Sequence, residues 1–369
     1  MAKKRKVDDS DGPSTATSGD PSPVKFIRDH QIWFEDGNII IRVASNHTRT
    51  HGFRCHGSVL AARSPVFATM LQLPNDGGEK IDGVACVDLP DSCRDVRGLL
   101  RFLYGFTTVI HGEYHWDTLC AISGPLRLAA KYEMKDITRQ LVPVLEKDWP
   151  SAYSDWLQGE KEIEAHLSRN GTQAMGARQD PALAVQLGHQ ARIRSILPAA
   201  YYDLSRILLR PPPFDDADYC QRRWAESSFL ERDDLERLAA GRERLAYYVR
   251  QQLHPNVLSA VTAAAHIAHL ACSCSMGRGA ARVCVPILRD WWAARRQSAS
   301  RWDAILQDPV RGLEELADGM LDLTNWTWGK DLARSCVHCR ESFAQVLRSE
   351  AESIWKQLPK FFELDSLPF

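Results

Sequence analysis

The side chains in this sequence best suited to chemistry are its late cysteines. Cys336-Val337-His338-Cys339 is a Cys-x-x-Cys pair, the spacing that lets two thiolates grip one tetrahedral zinc. Cys272-Ser273-Cys274 lies upstream, with Cys284 and the helix-spaced His266 and His269 near it. Cys272, Cys274, Cys336 and Cys339 would make a closed structural zinc site if the helices before Cys272 and after Cys339 pack side by side. The simpler reading ranks first: ordinary packed thiols and no cofactor, because a buried cysteine is a good small hydrophobe. A redox pair is a third reading, but no βαβ pattern surrounds these residues.

Other chemistry is absent from the pattern. There is no phosphate-binding Gly-x-x-x-x-Gly-Lys-Ser/Thr loop, no His-Glu-x-x-His and no Gly-x-Ser-x-Gly elbow. Gly277-Arg278-Gly279 follows no strand and reads as a turn. Scattered Asp and Glu pairs fit solvated helix faces, so no catalytic residue and no enzyme is expected. Arg222-Arg223 and Arg295-Arg296 could touch phosphate, yet they lack interleaved aromatics and read as charged helix surface. Lys plus Arg is 46 against 47 for Asp plus Glu, a net charge of -1, so direct nucleic-acid binding is not expected. No apolar run approaches the ~18 residues of a membrane span. The first residues carry no apolar segment after their charges, so no secretory signal is expected, and the ten cysteines are expected to be reduced.

Several elements must position these groups. Residues 1–25 are Lys, Asp, Ser, Thr, Gly and Pro with no apolar period, which predicts a disordered tail. Within it, Lys3, Lys4, Arg5 and Lys6, followed by Val7, resemble a monopartite nuclear import signal, so nuclear localisation is expected, with cytoplasm as a second place. Asp8, Asp9 and Asp11 follow at once and argue against a nucleic-acid arm. Asp36-Gly37-Asn38 is a turn, and Ile39, Ile40, Ile41 and Val43 predict a β-branched strand. Phe53 to His56 predicts a second strand. Ser58 is placed to cap a short helix through Val59 to Ala62, and Ser64-Pro65 to break it and start another. Val66, Phe67, Met70 and Leu71 give that second helix one apolar stripe. Val84 to Leu89 predicts a third strand. Val96, Leu99, Leu100 and Leu103 form a helix face ending at Gly105, and helices follow from Leu119 to Tyr132 and from Met134 to about Leu145.

The run Phe53, His56, Leu60, Ala61, Ser64 and Phe67 resembles the signature of the BTB/POZ family, in which it forms a helical hairpin beside a small sheet. Asp36-Gly37-Asn38 with the Ile run, Val87-Asp88-Leu89-Pro90-Asp91, Phe102-Leu103-Tyr104-Gly105 and Ala129 to Met134 extend the resemblance from Asp36 to about Leu145. It implies an α+β BTB/POZ domain, a small sheet flanked by helices, at residues 26–146. Beyond it the patterns are helical, predicting an all-α C-terminal region at 147–369 with Trp291, Trp292, Trp302, Trp326, Trp328 and Trp355 in its core. The layout as a whole is similar to fungal BTB-containing proteins.

The resemblance implies protein partners, first of all a homodimer through the N-terminal edge, where Phe26, Ile27, Ile32, Trp33 and Phe34 are too apolar for a free surface. His56 is read as a satisfied core histidine bonded to backbone. The family commonly places Lys or Arg after that histidine, in a charged pocket at the dimer seam; here the residue is Gly57. A substrate adaptor of a cullin-type ubiquitin ligase is the alternative. Such adaptors often carry a hydrophobic-x-Glu motif after the hairpin, but here the residue two before Glu79 is Gly77.

Overall fold

The structure, a computed structural model, describes residues 25–46, 48–73, 79–106, 117–170, 179–210, 224–260, 280–297, 299–321 and 332–368. Outside these residues lie Lys3, Lys4, Arg5 and Lys6, the thiols Cys272 and Cys274, His266, His269, Gly77, Arg222, Arg223, Trp326 and Trp328.

Five strands make one sheet. They are β1 (Lys25–Trp33), β2 (Ile39–Asn46), β3 (Arg49–Cys55), β4 (Lys80–Ile81) and β5 (Val84–Leu89), in the order β1-β3-β2-β5-β4. Central β2 runs antiparallel to β3, with Ile41 opposite Phe53, and parallel to β5, with Ile41 opposite Val87. Ile39, Ile41 and Val43 face the main core, while Ile40 points the other way and is buried too. Burial on both faces explains the consecutive apolar run Ile39-Ile40-Ile41 that precedes Arg42.

Strand β1 pairs parallel with β3, and the pairing jumps from Arg28↔Gly52 to Trp33↔Arg54. The extra residues of β1 bulge out around Asp29, whose carboxylate accepts the N–H groups of Gln31 (3.0 Å) and Ile32 (2.9 Å). Arg97 then pairs with the other oxygen at 2.7 Å and fixes the bulge to the helix behind it.

That helix is one of five around the sheet: α1 (Gly57–Arg63), α2 (Pro65–Gln72), α3 (Cys93–Leu103), α4 (Asp117–Lys131) and α5 (Lys135–Asp148). Ser64 makes the corner of the α1–α2 hairpin. Its Oγ accepts the Phe67 N–H at 3.0 Å and donates to the Tyr132 carbonyl at 2.6 Å, and Pro65 occupies the first helical position. The cap of α1 differs from expectation. His56 is the N-cap, Ser58 lies exposed two residues too late, and Asn38 Oδ1 accepts the Gly57 N–H at 2.8 Å instead.

The remainder is built from α6 (Tyr153–Asn170), α7 (Pro181–Gln190), α8 (Leu197–Ser205), α9 (Arg232–Tyr248), α10 (Ala280–Gln297), α11 (Ala299–Gln307), α12 (Pro309–Leu321) and α13 (Val337–Phe361). Among the described residues after Trp149 the only extended pairing is an isolated bridge, Leu208 to Trp224. The spine is α13, which buries Cys339, Phe343, Leu347, Ala351, Ile354 and Leu358, a stripe at helical spacing, chiefly against α12. Helix α9 buries Leu238, Gly241, Leu245 and Tyr248. The hydrophobic core runs from the sheet into the helical region without a break.

Candidate functional site

Most of the signature residues do structural work. Phe53, Leu60 and Phe67 are buried in the core, Ala61 is half-buried beside them, and Phe67 stacks on Tyr132 with ring centres 4.5 Å apart. His56 is not bonded to backbone carbonyls as its place in the signature suggests. Its ring is half-buried between two side chains: Nδ1 lies 3.0 Å from the Tyr104 hydroxyl and Nε2 lies 3.2 Å from an Asp36 oxygen. The Tyr104 hydroxyl also accepts the His56 N–H at 2.9 Å. A proton on Nε2 satisfies every contact, with Tyr104 donating to Nδ1 and Nε2 donating to Asp36. The His56 hydrogen bond holds the Asp36 carboxyl below its ordinary value, and burial raises the Tyr104 phenol above its own. The trio joins the turn before β2, the start of α1 and the end of α3. It ties these three elements together, with its Asp36 end open to solvent.

Gly57 has a local reason. A Cβ there would meet Leu71 Cδ1 at 3.2 Å, so a bulkier residue would press α1 against α2.

Two surfaces of this unit could meet a partner. The first is the β1 edge. Ile32 is fully buried, whereas Phe26, Ile27, Trp33 and Phe34 are half-buried, and Phe26 meets Trp33 edge-on at 6.2 Å. Phe26 lies flat on Gly52, where an added Cβ would come within 2.1 Å of its ring. The second is a groove of about 550 Å³ between the α1–α2 hairpin and β5, floored by Ile39, Ala85 and Val87 and walled by Met70 and Leu71. Leu73 at its rim is 65 % exposed.

The late cysteines form the other cluster. Cys336 is the N-cap of α13 and Cys339 lies three residues into the same turn, so the Cys-x-x-Cys spacing puts both sulfurs at one helix end. The third thiol is Cys284, from the first turns of α10. The three sulfurs lie within 4.8 Å of one another, and the Cys336 N–H donates to Cys284 Sγ at 3.4 Å. Among the described residues this is the one group of three or more His, Cys, Asp or Glu side chains spaced to share an ion. Cys284 and Cys339 are buried and Cys336 is half-buried. Burial, together with the neighbouring thiols, pushes the Cys339 thiol well up and raises Cys284 as well. Cys272 and Cys274, the other half of the expected set, lie outside the described residues. The sequence signal for Cys284 was weak, since a single cysteine in a helix looks like packing.

Arg295 corrects the expectation of a charged helix surface. It is buried, with its guanidinium 4.6 Å from the centre of the Trp291 ring.

The family model described as the BTB/POZ domain matches residues 38–148. No curated protein matches the chain.

Proposed function

We propose that the unit formed by the BTB/POZ match at residues 38–148 and the β1 strand on its sheet edge is where this chain meets its protein partners, and that its first partner is a second copy of the chain. The BTB/POZ domain is an interaction domain, not a catalytic one. The observation that carries self-pairing is the β1 edge. β1 ends the sheet, its outer side has no strand partner among the described residues, and it presents Phe26 and Trp33 half-exposed. An apolar edge strand of this kind is a template for pairing, and two copies related by a twofold axis would cover it with one self-complementary patch.

Light scattering of the full chain at micromolar concentration tests this. The expected mass is twice 41.6 kDa, falling to the single-chain value for Trp33→Glu. A wild-type monomer would refute self-pairing.

The same reading includes a nuclear site of action, supported by the basic residues Lys3, Lys4, Arg5 and Lys6. A fluorescent fusion should concentrate in the nucleus, and changing all four to Ala should redistribute it to the cytosol. An unchanged distribution would retire that part of the reading.

A further inference from the structure

We infer that Cys284, Cys336 and Cys339 are three ligands of one structural zinc ion that pins the start of α13 to α10. The argument rests on convergence. Two of the thiols come from one helix start and the third from a helix 52 residues earlier, yet all three sulfurs fall within 4.8 Å. A tetrahedral zinc with bonds of about 2.3 Å holds its sulfurs about 3.8 Å apart, so a closure of an ångström or less completes the site.

The surroundings suit an anionic metal–thiolate centre. The Cys336 amide donates to the Cys284 sulfur, as the outer hydrogen bonds of a metal site do. The thiols of Cys336 and Cys339 sit at the N-terminus of a 25-residue helix, the positive end of its dipole. The buried guanidinium of Arg340 follows directly in sequence, held by the carbonyls of Ser335 (2.6 Å) and Leu332 (3.2 Å). Soft thiolates select zinc over magnesium or calcium.

Binding is a proton exchange. One Zn²⁺ forms three Zn–S bonds, and the three thiols release three protons to solvent with no change of oxidation state. The consequence is structural. The metal ties the start of α13 to α10, two helices far apart in sequence.

The test uses the full-length chain, stripped with a chelator under reducing conditions and then titrated with zinc chloride alone. Thiol reactivity is read by alkylation and peptide mass spectrometry. One zinc per chain is expected, and Cys284, Cys336 and Cys339 should lose reactivity together as it binds. Cys93 and Cys120, half-buried elsewhere, should keep theirs. Addition of chelator should restore all three. This measurement uses the wild-type protein and so does not depend on a variant folding. In a second arm, Cys284→Ala and Cys339→Ala should each weaken zinc binding by about tenfold or more. The inference is overturned if no stoichiometric zinc binds, or if the three thiols react alike with and without it. Protection that survives the chelator but yields to a reductant would identify a disulfide and overturn it equally.

Discussion

Asp29 shows how one residue can set an element. Its side chain is fully buried at the β1 bulge, where it accepts two backbone N–H groups and pairs with Arg97. Burial alone would raise its pKa. The Ile32 amide, the Arg97 guanidinium and the Gln31 amide outweigh burial and bring it below the ordinary 3.8. A carboxyl depressed by folding stabilises the protein above its unfolded pKa, and that contribution is lost as pH falls through the folded value. Asp29→Ala should therefore destabilise by about 2–3 kcal/mol at pH 7, through two orphaned amides and an unpaired Arg97. Asp29→Asn keeps the acceptor oxygen and should cost about 1 kcal/mol at pH 7. Urea unfolding checks the sign: the gap between wild type and Asp29→Asn should narrow from pH 7 to about pH 3. A gap that stays constant would mean the charge is not what matters. None of this was legible in the sequence, where Asp29 looks like one more polar residue in Arg28-Asp29-His30-Gln31.

At the scale of elements, legibility follows how local the determining forces are. β2, β5 and the α1–α2 hairpin were readable because Ile39, Ile40 and Ile41 are apolar on both faces and Ser64-Pro65 encodes its own corner. β1 was not, because its apolar residues come in two pairs, Phe26-Ile27 and Ile32-Trp33, which match neither a period of 2 nor one of 3.6. The bulge explains the spacing: Phe26 and Ile27 fall in one paired segment and Trp33 in the next, and the detour lies between Arg28 and Trp33. The cap of α1 was misplaced by a similar oversight, since the acceptor for Gly57 is Asn38, nineteen residues earlier. The thiol cluster follows the same rule. Cys336 and Cys339 share one helical turn and stand out in the sequence. Cys284 joins them only because α10 packs against α13, and that contact depends on the whole helical region.

The whole molecule is less divisible than its sequence suggests. The resemblance ends near Leu145 and the matched domain ends at residue 148, yet the packing continues through that point. Trp149 is buried, with its indole nitrogen 3.4 Å from an Asp203 oxygen of α8. The Leu119 amide at the start of α4 donates to Gln179 Oε1 at 3.2 Å, and Arg127 on the same helix reaches Gln190 at 3.3 Å. α4 packs against α7, and α5 against the turn Arg194–Ile196. A fragment of residues 25–148 would lose this cover. Exposing even three side chains of the size of Leu or Ile costs about 5–9 kcal/mol, at 1.5–3 kcal/mol each. That is comparable to the whole stability of a typical domain, about 5–15 kcal/mol. The full chain should therefore unfold in urea as one cooperative transition when followed by tryptophan fluorescence, while the 25–148 fragment should unfold at lower urea or aggregate in light scattering. A fragment as stable as the full chain, with two separate transitions in the latter, would show that the helical region is an appendage. The expected result would make it part of the scaffold that holds the interaction domain in shape.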